Sequence, residues 1–136
     1  MIDKRAMPYD EKAEQAVIGS LMIENGVFDK IMCDLAPEDF YHGGNKLIFS
    51  AIIELLNAGK VADLVTVCET LSASGSLKKA GGNAYVAETV DSVVSAYSIN
   101  SYAAIVKEKS IERKIISEAS RIIEAVYDQT GEGKTK

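Results

Sequence analysis

One histidine, two cysteines and a closing Gly-Lys-Thr are the residues of this 136-residue chain whose types could carry chemistry. Histidine is the residue type whose unperturbed titration falls near neutrality, and His42 is the one the chain holds. It sits in the segment Tyr41-His42-Gly43-Gly44, with Glu38 and Asp39 as the nearby carboxylates. A lone loop histidine reads as a solvated side chain, and neither a triad nor a zinc or two-histidine metal site finds its other members at a useful spacing. Cys33 and Cys68 lie far apart in apolar-periodic segments without a CxxC companion, so both read as buried thiols in a reducing compartment. Gly131-Glu132-Gly133-Lys134-Thr135 imitates the end of a phosphate-binding loop, but G-x-x-x-x-G-K-S/T needs glycine where Asp128 stands. It also needs a strand before the loop and a helix after it, so the segment reads as a polar tail or linker. The carboxylate pairs Glu11 with Glu14 and Glu38 with Asp39 read as helix starts and solvated faces. No catalytic residue, metal ligand or cofactor is expected, and no binding or hydrolysis of ATP.

Fifteen Lys and Arg against 20 Asp and Glu give a formal charge of -5, which repels a phosphate backbone and disfavours autonomous nucleic-acid binding. Hydrophobic content of 47% with 26% charged residues suits a globule, and 2 Pro with 10 Gly leave few helix breakers. The longest stretch without a charge, Ser92 to Val106, is interrupted by serines and Asn100 and is too short and polar to span a bilayer. Asp3, Lys4, Arg5, Asp10 and Glu11 precede any apolar run, unlike the layout of a secretory signal, so a cytoplasmic location is expected.

Hydrophobic spacing predicts an all-α fold, a helical globule of about five to six helices with a long C-terminal helix. Asp10 is placed to cap a first helix over about 11 to 24, where Ala13, Ala16, Val17, Ser20 and Leu21 share a face and small residues permit close packing. Asn25-Gly26 breaks it. Val27, Phe28, Ile31, Met32 and Leu35 form a short second helix ending before Pro37. Phe40 to Asn45 reads as a loop, with Asn45 capping a third helix that carries Ile48, Ala51, Ile52 and Leu55, takes the central position and stops at Gly59. The spacing Thr66-x-x-Glu69 predicts Thr66 as the cap of a fourth helix ending at Gly75. A fifth, Asn83 to Ser92, holds Tyr85, Val86, Thr89 and Val90.

No Gly or Pro intervenes from Ile99 to about Tyr127, and an unbroken helix of that length reaches roughly 43 Å. A globule of about 100 residues is only some 34 Å across. Tyr102, Ile105 and Val106 can pack on the preceding helices. Ile111, Ile115, Ile116, Ala119, Ile122, Ile123 and Val126 form a stripe that wants burial from another surface. Either the helix breaks near Lys109-Ser110 and folds back, or it stands out as a partner-facing arm. The expected division is a globule over 1–98, an arm over 99–127 and a polar tail over 128–136. Helices four and five also permit a helix-turn-helix reading, a free-standing DNA-binding regulator. Its recognition helix would hold Glu88 and Asp91 with no Lys or Arg, and a salt-dependent gel shift would test it.

Several segments in order carry a resemblance: Ala13-Glu14-Gln15-Ala16-Val17-Ile18-Gly19, Pro37-Glu38-Asp39-Phe40-Tyr41, Leu47-Ile48-Phe49, Asp63-Leu64-Val65-Thr66-Val67, Gly81-Gly82 with Tyr85 and Glu88, and Tyr102 with Ile105-Val106-Lys107-Glu108-Lys109. Over nearly its whole length the chain resembles the N-terminal domain of the DnaB family of bacterial and phage replicative DNA helicases. Asn45 stands where that family commonly has histidine, and Val94 where it has proline. The resemblance implies a helical globule plus a helical hairpin, of which Ile99 to about Tyr127 is the first arm. Hairpins pair between subunits into a collar of the hexamer, and the collar docks the C-terminal domain of primase. It implies self-association as a dimer, a helicase loader as a further partner, no direct contact with nucleic acid or membrane, and ATP and Mg only in a motor domain. The residues expected to bind protein are Tyr85, Ile111, Ile115, Ile116, Ile122 and Ile123, with the rival reading that Tyr85 plugs the chain's own core.

Overall fold

Asp10 opens the first helix, its carboxylate accepting from the Ala13 N–H at 2.9 Å. The computed structural model describes residues 7–31 and 34–130, so Met32, Cys33 and the tail from Gly131 lie outside the described residues. Among the described residues six α-helices follow in order: α1 (Glu11–Ile23), α2 (Phe28–Ile31), α3 (Gly43–Asn57), α4 (Leu64–Ala73), α5 (Gly82–Asp91) and α6 (Ile99–Thr130). Short 3-10 turns at Asn25–Val27, Pro37–Asp39 and Ala96–Ser98 join some of them, and no strand occurs among the described residues.

The centre is α1 rather than α3. Every residue from Ala13 to Met22 is buried, and α3, α5 and α6 all pack against this helix. Ala13, Ala16, Gly19 and Ser20 supply the thin sides that let neighbours approach from several directions. At Gly19 the approach is closest, since a Cβ built there would stand 2.1 Å from the Thr89 carbonyl oxygen of α5. Val17, Ile18, Leu21, Phe40, Phe49, Ile48, Ile52, Val67, Val86 and Ile99 fill the core around it. Beyond the break at Asn25-Gly26, the Asn25 amide donates to the Leu21 and Ala62 carbonyls, both at 2.7 Å, and its oxygen accepts from the Ala62 N–H at 3.0 Å. One side chain thus fastens the end of α1 to the turn before α4.

The second helix is described over Phe28–Ile31, and its expected continuation through Met32 lies outside the described residues. Two expected helix starts differ. α3 starts at Gly43, so Asn45 is not its cap but a buried residue of its first turn. The start is satisfied from another helix, as the next section describes, which frees the local sequence from supplying a cap. α4 starts at Leu64 and its cap is Asp63, not Thr66. Asp63 Oδ1 accepts from the Thr66 N–H at 2.9 Å, and Thr66 Oγ1 accepts from the Asp63 N–H at 2.8 Å. The reciprocal pair is present with its order shifted by three residues, because Asp63 offers the better acceptor at the extended position. Asp63→Ala is therefore expected to lower stability by about 1 kcal/mol in denaturant melts. A loss below the roughly 0.5 kcal/mol end of the range for cap removal would contradict this assignment.

The last helix is continuous. At 32 residues α6 extends about 48 Å, and the expected alternative of a break near Lys109-Ser110 is not found. Ile99, Ala103, Val106 and Ser110 recur at spacings of four, three and four and are all buried against the globule. From Lys114 to Gln129 every side chain except Ser120 is exposed.

Candidate protein-docking surface

Glu14 is an acid in phase with Val17, Ile18 and Leu21 on the buried face of α1, and it is only 1% exposed. Its carboxylate accepts from the Tyr41 N–H at 2.7 Å, the His42 N–H at 3.4 Å and the Asn45 side-chain amide at 2.9 Å. A carboxylate from α1 thereby occupies the positive end of α3, whose own N-cap His42 supplies no side-chain bond. Glu14 is thus no solvated helix-start acid. Close packing completes the arrangement, as a Cβ on Gly44 would fall 2.9 Å from the Ala80 carbonyl oxygen.

Tyr85 closes the same network from α5. Its hydroxyl donates to Asn45 Oδ1 at 2.7 Å and accepts from the Gln15 amide at 3.3 Å, with the ring packed on the core. Burial, with the charge of Glu11, pushes the phenol above its ordinary value, so it stays a donor. Its polar tip is spent inside the domain, while the residue as a whole is half-buried. Gly81, at φ +109°, holds the turn before α5, and a Cβ there would strike Tyr85 at its Cβ, 2.7 Å away, and at its ring Cγ, 2.8 Å away.

His42 is packed rather than solvated, edge-on to the rings of Tyr9 and Tyr41 at 5.0 and 5.4 Å, and those two tyrosines stack at 4.4 Å. Its Nε2 stands 3.9 Å from Glu11 Oε1. Cys68 is partly buried and burial pushes its thiol up, which suppresses the thiolate a nucleophile needs. It lines an open trough of about 580 Å³ between α4 and α5, with Leu64, Val65, Leu77, Ala84 and Ala87. No group of three or more His, Cys, Asp or Glu side chains converges as metal ligands would among the described residues. Nor is any helix among them long and apolar enough to cross a membrane.

The arm presents the remaining expected residues. Ile111, Ile115, Ile116, Ile122 and Ile123 are all exposed, Ile115 to 62% and Ile122 to 54%, and Val126 lies with them. Spacings of four, seven and three residues place them on one broad face, wider than a two-residue coiled-coil seam. Tyr85 sits in a separate helix and is not part of that face. Its charged residues include Glu118 and Arg121, paired at 2.7 Å. Where α6 leaves the globule, sequence reading passed over Asp39, which is buried instead of solvated. Ser110 gave the available signal, a polar residue continuing the stripe Ile99, Ala103, Val106.

Residues 6–108 match the family model for the DnaB-like helicase N-terminal domain. The replicative DNA helicase DnaB of Buchnera aphidicola is 41% identical over 125 residues, 92% of this chain and 27% of the relative. That of Geobacillus stearothermophilus is 36% identical over 132 residues, 97% of this chain and 29% of the relative. The chain therefore spans under a third of the length of these relatives. The crystal structure of the N-terminal domain of DnaB helicase from Mycobacterium tuberculosis superposes with a TM-score of 0.90 at 30% identity, covering 92% of this chain and 89% of that one. A solved DnaB-like replicative helicase, described with its interactions with primase, gives 0.74 at 32% identity over 86% of this chain and 28% of that one. Sequence and fold agree, and the chain belongs to the DnaB-like helicase N-terminal domain family.

Proposed function

We propose that this chain is a non-catalytic assembly and docking domain of a replicative helicase, working in the cytoplasm, whose α6 face pairs with a second copy and receives the C-terminal helical domain of primase. The single observation that carries the proposal is the exposed isoleucine face on a continuous helix beyond Lys114. An apolar surface of that breadth is stable in water mainly when covered. The solved relative described with its interactions with primase supports the choice of partner. A helicase loader is a further partner in this proposal. ATP and Mg act in the motor part of the helicase and not on this domain, and family membership favours assembly over the DNA-binding regulator.

Ile111, Ile115, Ile116, Ile122 and Ile123 form the docking face, and Tyr85 on α5 is a separate, half-buried contact point outside it. Ile122→Asp is expected to leave helicity unchanged and to weaken binding of the primase domain from the same source at least tenfold, about 1.4 kcal/mol. Tyr85→Phe, which removes only the spent hydroxyl, is expected to bind like the parent. If a folded Ile122→Asp chain binds as tightly as the parent, the docking face lies elsewhere.

A further inference from the structure

Past Val106 the apolar burial of α6 ends, and the helix remains tied to the globule through polar groups that converge on one residue. Asp39, in the 3-10 turn Pro37–Asp39, is 2% exposed. Its Oδ1 accepts from the Ser110 hydroxyl at 2.7 Å, and Ser110 is itself 2% exposed. Lys114 Nζ stands 3.7 Å from the same oxygen. Oδ2 accepts from Lys107 Nζ at 3.3 Å and from the Ala36 N–H at 2.9 Å. The Asp39 carbonyl accepts from Arg113 at 2.7 Å, while another nitrogen of that guanidinium donates to the Pro8 carbonyl at 2.9 Å. Four residues of α6 at positions 107, 110, 113 and 114 thus meet one aspartate.

We propose that Asp39 is a positioning residue that fixes the direction in which the arm leaves the globule, and so the orientation of its apolar face. Residues 115–130 extend roughly 24 Å beyond this knot, so a small tilt at the root becomes a displacement of several ångströms at the tip. The buried apolar residues of α6 hold its first turns but lie on one side of a cylinder, about which the helix can roll. Hydrogen bonds are directional where apolar contacts are not. A carboxylate fed from Ala36 on one side and from Ser110 and two lysines on the other sets both roll and tilt. The knot lies within one chain, and the arm's direction is set whatever the arm binds.

The test is single-molecule energy transfer between dyes on unnatural amino acids at the exposed positions Lys60 and Glu124, at picomolar concentration, where no micromolar dimer survives. The parent is expected to give one narrow peak. Asp39→Asn keeps the shape of the side chain but removes the charge, and Ser110→Ala removes the shortest bond from the arm's side. Both are expected to broaden and shift the peak by several ångströms at unchanged helicity, and Asp39→Glu is expected to restore part of the narrowing. A merely structural role would lower the melting temperature without moving the peak of the folded molecules. The parent's narrow peak in folded Ser110→Ala and Asp39→Asn would overturn the proposal. Should Asp39→Asn fail to fold, the same result in Ser110→Ala alone overturns it.

Discussion

Replacing Gly19 with alanine is expected to destabilise the domain by about 3 kcal/mol or more, the upper end of the range for overpacked cores. The added methyl would stand 2.1 Å from the Thr89 carbonyl oxygen and 2.7 Å from Val93 Cγ2. The first neighbour is backbone and cannot rotate away, so α1 and α5 must move apart. α1 is enclosed by α3, α5 and α6, and the separation would open voids on faces that are now closed. Alanine's better helix propensity, about 1 kcal/mol over glycine, offsets only part of this. Thermal unfolding is the measurement, with an expected fall of roughly 10 °C at some 3–4 °C per kcal/mol for a domain of this size. An unchanged or raised melting temperature would show that the two helices are not in this close contact.

The second large effect is expected at Glu14. Glu14→Ala removes the acceptor for two backbone N–H groups and one side-chain amide at a residue that is itself only 1% exposed. Leaving such donors unmatched costs about 1–3 kcal/mol for each group that cannot find water. A total near 3 kcal/mol is expected, since the displaced Tyr41 and His42 backbone can reach solvent in part. Glu14→Gln keeps one acceptor oxygen and is expected to lose less. Denaturant melts of the two variants give the comparison, and equal losses would mean that the shape of the side chain matters rather than its acceptors.

These two positions also mark what the sequence does and does not reveal. Periodicity located all six helices because each carries an apolar stripe, and Asp10, Gly59 and Gly75 mark ends that depend on local chemistry. Asn45 and Thr66 were misplaced as caps for a different reason. Both are good cap residues, but the partners that decide, Glu14 for the start of α3 and Asp63 for α4, are ranked by geometry that a linear string does not contain. Glu14 and Asp39 look like surface acids by type, and only their phase with neighbouring apolar residues betrays burial. The exposed isoleucines of α6 were legible because length alone carries them past the globule. Tyr85 was not, since its pattern fits a core residue and a contact equally, and the structure gives it a hydroxyl spent inside on a residue that is half-buried.

Sedimentation equilibrium of the chain at about 100 µM tests the pairing of the arms most directly, because a low-micromolar dissociation constant then gives mostly dimer. The expected result is a species of twice the 14.6 kDa chain mass, reduced to monomer by Ile122→Asp without loss of helicity. A single 14.6 kDa species across the concentration range would contradict pairing through the isoleucine face.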